Sequence, residues 1–289
     1  MIQKLKYINI IYTEKIESVK LMVQEHYDTP EYNNSLFILN TSWTECDCTE
    51  IINNIEKYTK KIYYSLEHKP NTVTYYDNNF FGDCIGYFNE LYNLFKINEI
   101  WCMDYEPQLE QILNRYNFIY KYKPVRYTSL IKPVKNIHTT PKTCDMCFVG
   151  SIGNSTNRSN FIHIIERCNC SNTIKFITNT KNLCSVIPEL NTCKYILDIS
   201  REKQIATQNQ VRIFELLCMG YTVCAEKCSI NMFPGLVYEW ETIGELIDFV
   251  NKNEYIHPIE AYKEMTYTDE AYEKYVNYLI EQWNTENLV

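Results

Sequence analysis

No apolar run in the chain approaches the roughly 18–20 residues that a membrane-spanning helix needs. The opening segment, Met1 to Tyr12, carries Lys4 and Lys6 but has no cleavable signal architecture. A soluble intracellular protein, cytoplasmic by default, is therefore expected. Positive charge is also in deficit: the formal net charge is −8, which argues against a general nucleic-acid coat and against a polybasic membrane patch. Glycine is missing where a dinucleotide-binding enzyme would need it. The turn after the first strand reads Ile11-Tyr12-Thr13-Glu14, so a nicotinamide-type fingerprint is disfavoured. No Asp-x-Asp stands at a strand end, and no metal site is expected.

What is present is enough for two domains. The chain has 289 residues, of which 45% are hydrophobic. The excess of Asn, Ile, Tyr and Lys fits an AT-rich coding bias, such as that of a large DNA virus, whose setting would be the host cytoplasm or the virion. The thirteen cysteines are scattered and odd in number. Cys102, Cys184, Cys218 and Cys224 sit among apolar residues and read as buried thiols of a reducing compartment. Cys144-x-x-Cys147 and Cys168-x-Cys170 have the look of a zinc ribbon. Against that, Cys147 leads into an apolar strand, and the second pair has the wrong internal spacing.

Along the first half, strands read at Tyr7–Tyr12, Ser35–Asn40, Lys61–Ser65 and Ile97–Met103. Helices read at Glu14–Tyr27, Thr49–Tyr58, Phe80–Lys96 and Pro107–Tyr116. This alternation predicts a doubly wound α/β domain. Tyr120 to Thr143, with Pro124, Pro133 and Pro141, reads as a linker, or a strand plus linker, between two domains. The alternation then restarts with strands at Asp145–Ser151, Ile174–Thr178, Tyr195–Ile199 and Tyr221–Ala225. Helices are expected at Ser159–Arg167, Leu183–Leu190 and Thr242–Asn251, with Thr242 and Glu245 as a capping box, and the tail forms a Tyr-rich helix over Asp269–Trp283. The expected organisation is 1–132, 141–265 and a C-terminal helix, 266–289, packing back on the first domain. A dimer helix would look the same, so a homodimer is left open.

Two stretches of the second half carry the candidate chemistry. Gly150, Ser151 and Gly153, followed by Arg158 just before a helix, form a turn whose amides and helix dipole could face a phosphate. An ordinary β–α turn reads the same way. Gln208-Asn-Gln-Val-Arg-Ile-Phe-Glu-Leu-Leu-Cys-Met-Gly220 reads as a helix capped by Asn209 and ended by Gly220. Its apolar face is Val211, Phe214, Leu217 and Cys218. Arg212 and Glu215 are three apart and share the other face, either as a surface ion pair or as ligands. Arg201 and Lys203 lie in the preceding polar loop.

The run Arg212-x-Phe214-Glu215-x-x-x-x-Gly220, followed by Phe233, Glu239 and Glu245-Leu246, resembles nucleotide-sugar glycosyltransferases of the GT-B fold. Closest is the group-1 type and its short spore-maturation-like branch. Phe148-Val149-Gly150-Ser151 with Arg158 is similar to the opening of that family's C-terminal domain. The resemblance spans roughly residues 145–250, and the first half shares only architecture. It implies two Rossmann-like doubly wound domains facing a cleft, a UDP- or GDP-sugar as donor substrate, no separate cofactor and no metal. It implies an acceptor that is a glycan, a protein or a small molecule. Glu215 would hold the ribose hydroxyls, Asn209 and Arg212 would lie towards the diphosphate, and Arg201 and Lys203 would neutralise the leaving group. The group-1 type often has a further Glu eight positions before the ribose Glu; here that position is Thr207. On the acceptor side, His68 with Glu67, then Asp83 or Asp104, are the candidate bases. A non-catalytic binding protein of the same fold and a GT-B-like sugar-nucleotide epimerase are the alternatives.

Overall fold

The computed structural model describes residues 1–66, 88–105, 107–135, 137, 139–152, 155–167, 172–178, 183–200 and 207–286. The chain divides into two compact units, Met1–Val125 and Arg126–Val289. Each is an α/β body built on a mainly or wholly parallel sheet.

The first sheet has six strands in sequential order: β1 (Ile2–Lys4), β2 (Ile8–Ile11), β3 (Ser35–Leu39), β4 (Lys61–Ser65), β5 (Glu99–Cys102) and β6 (Ile119–Tyr122). Strands β2 to β6 pair in parallel, while β1 adds antiparallel to β2. β3 and β5 are buried along their whole length, as strands covered on both faces must be. Period-2 alternation sorts their side chains. Leu36, Ile38, Tyr63, Ile100 and Cys102 share a core with α2 (Thr49–Asn53), α3 (residues 88–95) and α4 (Pro107–Arg115). On the other face Trp101 meets Phe37 and Tyr64, with ring centroids 5.3 and 5.9 Å away, and Tyr27 of α1 (Glu17–Tyr27) at 4.7 Å. Each such edge-on aromatic pair adds about 0.5–1.5 kcal/mol beyond the area it buries.

The second sheet has the order β11-β10-β9-β7-β8, all parallel. Its strands are β7 (Cys144–Val149), β8 (Ile174–Ile177), β9 (Cys193–Asp198), β10 (Val223–Glu226) and β11 (Tyr238–Trp240). The chain steps from β7 outward to β8, then returns past β7 to β9 and continues to β11. This reversal is a topological switch point, and in open α/β sheets ligands bind outside the carboxyl ends of the strands at that place. Helices α5 (Thr156–Arg167), α6 (Ile187–Leu190), α7 (Gln210–Met219), α8 (Ile243–Lys252), α9 (Pro258–Thr266) and α10 (Asp269–Glu286) complete the unit.

Several expected elements differ in detail. The helix read over Thr49–Tyr58 breaks at Asn54 into α2 and a 3-10 turn at Ile55–Lys57. The helix read over Leu183–Leu190 is a 3-10 turn plus α6. α5 starts three residues early, at Thr156, where the Ser155 hydroxyl accepts from the Arg158 amide at 3.2 Å. β1, β11 and α9 were not expected. Cys102, Cys218 and Cys224 are buried, but Cys184 is exposed, because it sits on the outside of its 3-10 turn rather than on an apolar helix face.

The stretch after β6 is committed to the second unit. Arg126 is 2% exposed; its Nε donates to the Thr266 carbonyl at 3.0 Å, its Nη2 to the Tyr267 carbonyl, and its Nη1 pairs with Asp269 at 2.9 Å. Further on, the Val134 amide donates to the Met219 carbonyl at 3.0 Å. α10 holds to this unit through Tyr275, whose hydroxyl donates to the Met232 carbonyl at 2.6 Å. No helix among the described residues is long and apolar enough to cross a membrane.

Candidate functional site at the carboxyl edge of the second sheet

The switch point lies between the ends of β7 and β9. β7 ends in Val149, and Gly150 follows with φ +148°, a backbone conformation that L side chains rarely adopt. Its amide donates to the Ile177 carbonyl at 3.0 Å. The space where a Cβ would stand is filled by Arg212: a Cβ built there falls 2.9 Å from Nη2. The two sequence stretches singled out above therefore meet, the Gly150 turn lying against the first turn of α7.

α7 forms as its sequence dictates. Asn209 is the N-cap, its side chain accepting from the Arg212 amide at 3.2 Å, and Gly220 closes the helix in the left-handed conformation with φ +93°. The helix is more deeply buried than an amphipathic reading implies. Gln210, Ile213, Phe214, Leu216, Leu217, Cys218 and Met219 are all buried, and Val211, Arg212 and Glu215 form the half-buried side. Arg212 makes its ion pair with Asp198 at the end of β9, Nη1 to Oδ1 at 2.9 Å, and not with Glu215 one turn on. Asp198 is 1% exposed and also accepts from the Asn209 amide at 3.3 Å. A carboxylate of this chain thus stands at the positive end of α7, where the helix dipole and free amides favour an anion.

Arg158 is also engaged. It projects from α5, is buried, and donates from Nε to the Ile199 carbonyl at 3.0 Å and from Nη1 to the Ser151 carbonyl at 2.7 Å. It ties the turn after β7 to the end of β9 across the switch point. Both guanidinium groups flank the buried Phe148 ring, Arg158 at 5.3 Å and Arg212 at 5.5 Å from its centroid.

The acidic residues at the ends of the next strands are tied down in the same manner. Glu226 of β10 accepts from the Asn157 side chain at 2.8 Å and from the Ser200 amide at 3.0 Å. Glu239 of β11 accepts from Gln208 Nε2 at 2.7 Å and from the Asn231 side chain. Burial pushes the Glu239 carboxyl above its ordinary value, with Lys227 and the Gln208 hydrogen bond pulling the other way. Burial also pushes the Cys228 thiol up to about 12, so it stays protonated and unreactive near neutral pH.

Among the sequence candidates, Gly150, Ser151, Arg158, Asn209 and Arg212 gather at this edge, and Glu215 lies one turn into α7. Gly153, Arg201 and Lys203 lie outside the described residues, as do Glu67, His68 and Asp83. Asp104 belongs to the first unit, where it follows β5, is 4% exposed, and accepts through its carbonyl from the Tyr120 hydroxyl at 3.1 Å. Asp198, Asn157, Gln208 and Glu226 went unread. The one signal for Asp198 was a lone acid closing an apolar strand just before a polar loop. Among the described residues, no group of three or more His, Cys, Asp or Glu is arranged to hold a metal ion.

No protein-family model and no curated protein matches the chain. Among solved structures, it is similar to a sucrose-phosphate synthase from Thermosynechococcus elongatus. The identity is 10% and the TM-score 0.42, over 94% of this chain and 74% of that one.

Proposed function

We propose that the second unit binds a nucleoside diphosphate sugar, linked to UDP or GDP, and that the protein transfers its sugar to an acceptor without a metal ion. One observation carries the proposal: the Gly150 turn and the capped start of α7 meet at the switch point of a parallel sheet. The turn after Gly150, whose own amide is held by the Ile177 carbonyl, and the N-terminus of the twelve-residue α5 would take the diphosphate. Glu215, an acceptor-only carboxylate, would hold the ribose hydroxyls. Arg158 and Arg212 act chiefly as fixed positive groups that shape the turn, since their donors are engaged with Ser151, Ile199 and Asp198. Arg201 and Lys203 are then the cations proposed to stabilise the departing diphosphate. On the acceptor side, His68, Glu67 or Asp104 would take the acceptor's proton.

Calorimetric titration of the whole chain with UDP and GDP, with and without a chelator, tests the binding step. Binding that is insensitive to chelation and lost in Glu215→Ala, with the far-UV spectrum unchanged, is the expected result. Absence of binding by either nucleotide removes the proposal. Nucleotide release from UDP- or GDP-sugars then tests transfer.

A second reading is binding of the nucleotide sugar without turnover, and one observation favours it. Thr207, which stands where the resembling enzymes often carry a carboxylate, is 2% exposed, and its backbone bridges in parallel to Ile230. Tight binding with no nucleotide release over many hours selects that reading. Formation of an epimer would instead select a sugar-nucleotide epimerase.

A further inference from the structure

The first unit has a second concave site at the opposite, amino edge of its own sheet. A cavity of about 760 Å³ is lined by Asn89, Tyr92, Lys96, Asn98, Tyr116 and Asn117, with Glu56 at its rim. That volume falls within the roughly 300–1,000 Å³ of small-ligand pockets. Tyr92 is 48% exposed and Tyr116 53% exposed, and both are among the few large hydrophobic side chains left open to solvent. Tyr92 is braced rather than loose: Phe118 meets it edge-on at 6.3 Å and Lys96 Nζ lies 5.4 Å from its ring centroid. Asn98 spends its backbone on the sheet, donating to the Lys61 carbonyl at 3.4 Å and accepting from the Ile119 amide at 2.8 Å, so its side chain is what it offers to the cavity. Lys96 and Asn117 both have positive φ, +52° and +63°, which turns the chain sharply on either side of the site.

We propose that this cavity binds a neutral oligosaccharide, by stacking of sugar rings on Tyr92 and Tyr116 and hydrogen bonds from sugar hydroxyls to the Asn89, Asn98 and Asn117 amides. A pyranose presents C–H faces that pack on an aromatic ring and a rim of hydroxyls that both donate and accept. Side-chain amides supply both functions at one group. A single Lys opposed by a single Glu gives no net charge for holding a phosphate or sulfate. The polar lining is equally unsuited to an aliphatic chain. The site lies at the edge of the sheet away from Asp104, and it stands or falls independently of the nucleotide-sugar proposal.

The whole chain, applied to an array of neutral glycans and then titrated with the best-bound oligosaccharide, tests this. The expected result is binding that Tyr92→Ala and Tyr116→Ala each weaken by about tenfold. Tyr92→Phe and Tyr116→Phe should retain it, because the ring face and not the hydroxyl makes the contact. Glu215→Ala should leave it unchanged, and Tyr116→Ala should leave nucleotide titrations unchanged, which separates the two sites. Absence of binding to any neutral glycan overturns the proposal, as does binding indifferent to both Ala variants. Self-association that Tyr116→Ala abolishes, with no glycan bound, would make the surface a contact between copies and also overturn it.

Discussion

At the carboxyl edge of the second sheet, Asp198, Glu226 and Glu239 each meet a side-chain donor of this chain: Arg212, Asn157 and Gln208 respectively. In the cavity at the amino edge of the first sheet, Tyr92 and Tyr116 stand half in solvent among asparagine amides, and the charged residues among the described lining are Lys96 and Glu56. Strand order differs in parallel with this. The second sheet reverses direction beside β7, whereas the strands of the first follow one another without reversal. A reversal splays two neighbouring connections apart and leaves strand ends without a covering crossover. Asp198 is buried there and Glu226 and Glu239 are half-buried, and each is satisfied by a donor of the chain, as burial demands. The open cavity of the first edge, with its tyrosine rings half exposed, places no such demand. The second edge is therefore rigid and specified, and the first is a surface whose polar groups remain free to choose a ligand.

Substitutions can break this contrast, and the largest effect should come from Arg212→Ala. It strands the Asp198 carboxylate, which is 1% exposed, and loss of one partner from a buried pair costs about 3–5 kcal/mol. Urea denaturation should register it, and Asp198→Asn in the same chain should recover part of the loss, as coupled sites do. Gly150→Ala ranks next. The strained φ together with contact against Arg212 should cost about 1–3 kcal/mol, read as a lowered thermal midpoint. A smaller effect, with a pH signature, is expected for Glu239→Gln. The folded-state value of this carboxyl is raised, so its contribution to stability is fully present below the ordinary value of 4.5 and is lost as pH rises through the folded value. The variant should therefore gain stability relative to the parent as pH is raised from about 4 to about 7. A flat difference across that range would show that burial does not govern the group. Smallest of all, Tyr116→Ala should change stability by less than about 0.5 kcal/mol while altering glycan binding. A large loss of stability there would mean that this edge is as tightly specified as the other.

Local signals made much of this legible. Asn209 and Gly220 bracketed α7, and Thr242 with Glu245 forms the capping box of α8, each helix starting and ending where its cap chemistry requires. The β–α alternation gave the layers. It could not give strand order, because alternation counts strands without saying which side of its predecessor each one joins. β1 escaped notice because Ile2–Lys4 is three residues with none fully buried, and α9 because a charged nine-residue segment has little periodicity. The site was half legible. The Gly150 turn and the Arg212 helix were visible as motifs, but the one ion-pair partner that helical spacing offers Arg212 is Glu215. The choice of Asp198 depends on how β9 approaches α7, which no local pattern encodes.

Arg126 has a further consequence. The first residue of the second unit grips residues 266, 267 and 269, so the entry point of that unit and the start of its last helix are neighbours in space. A fragment beginning at 141 would leave three acceptors without their guanidinium and should be hard to express. A fragment beginning a few residues before Arg126 should behave as a self-contained unit.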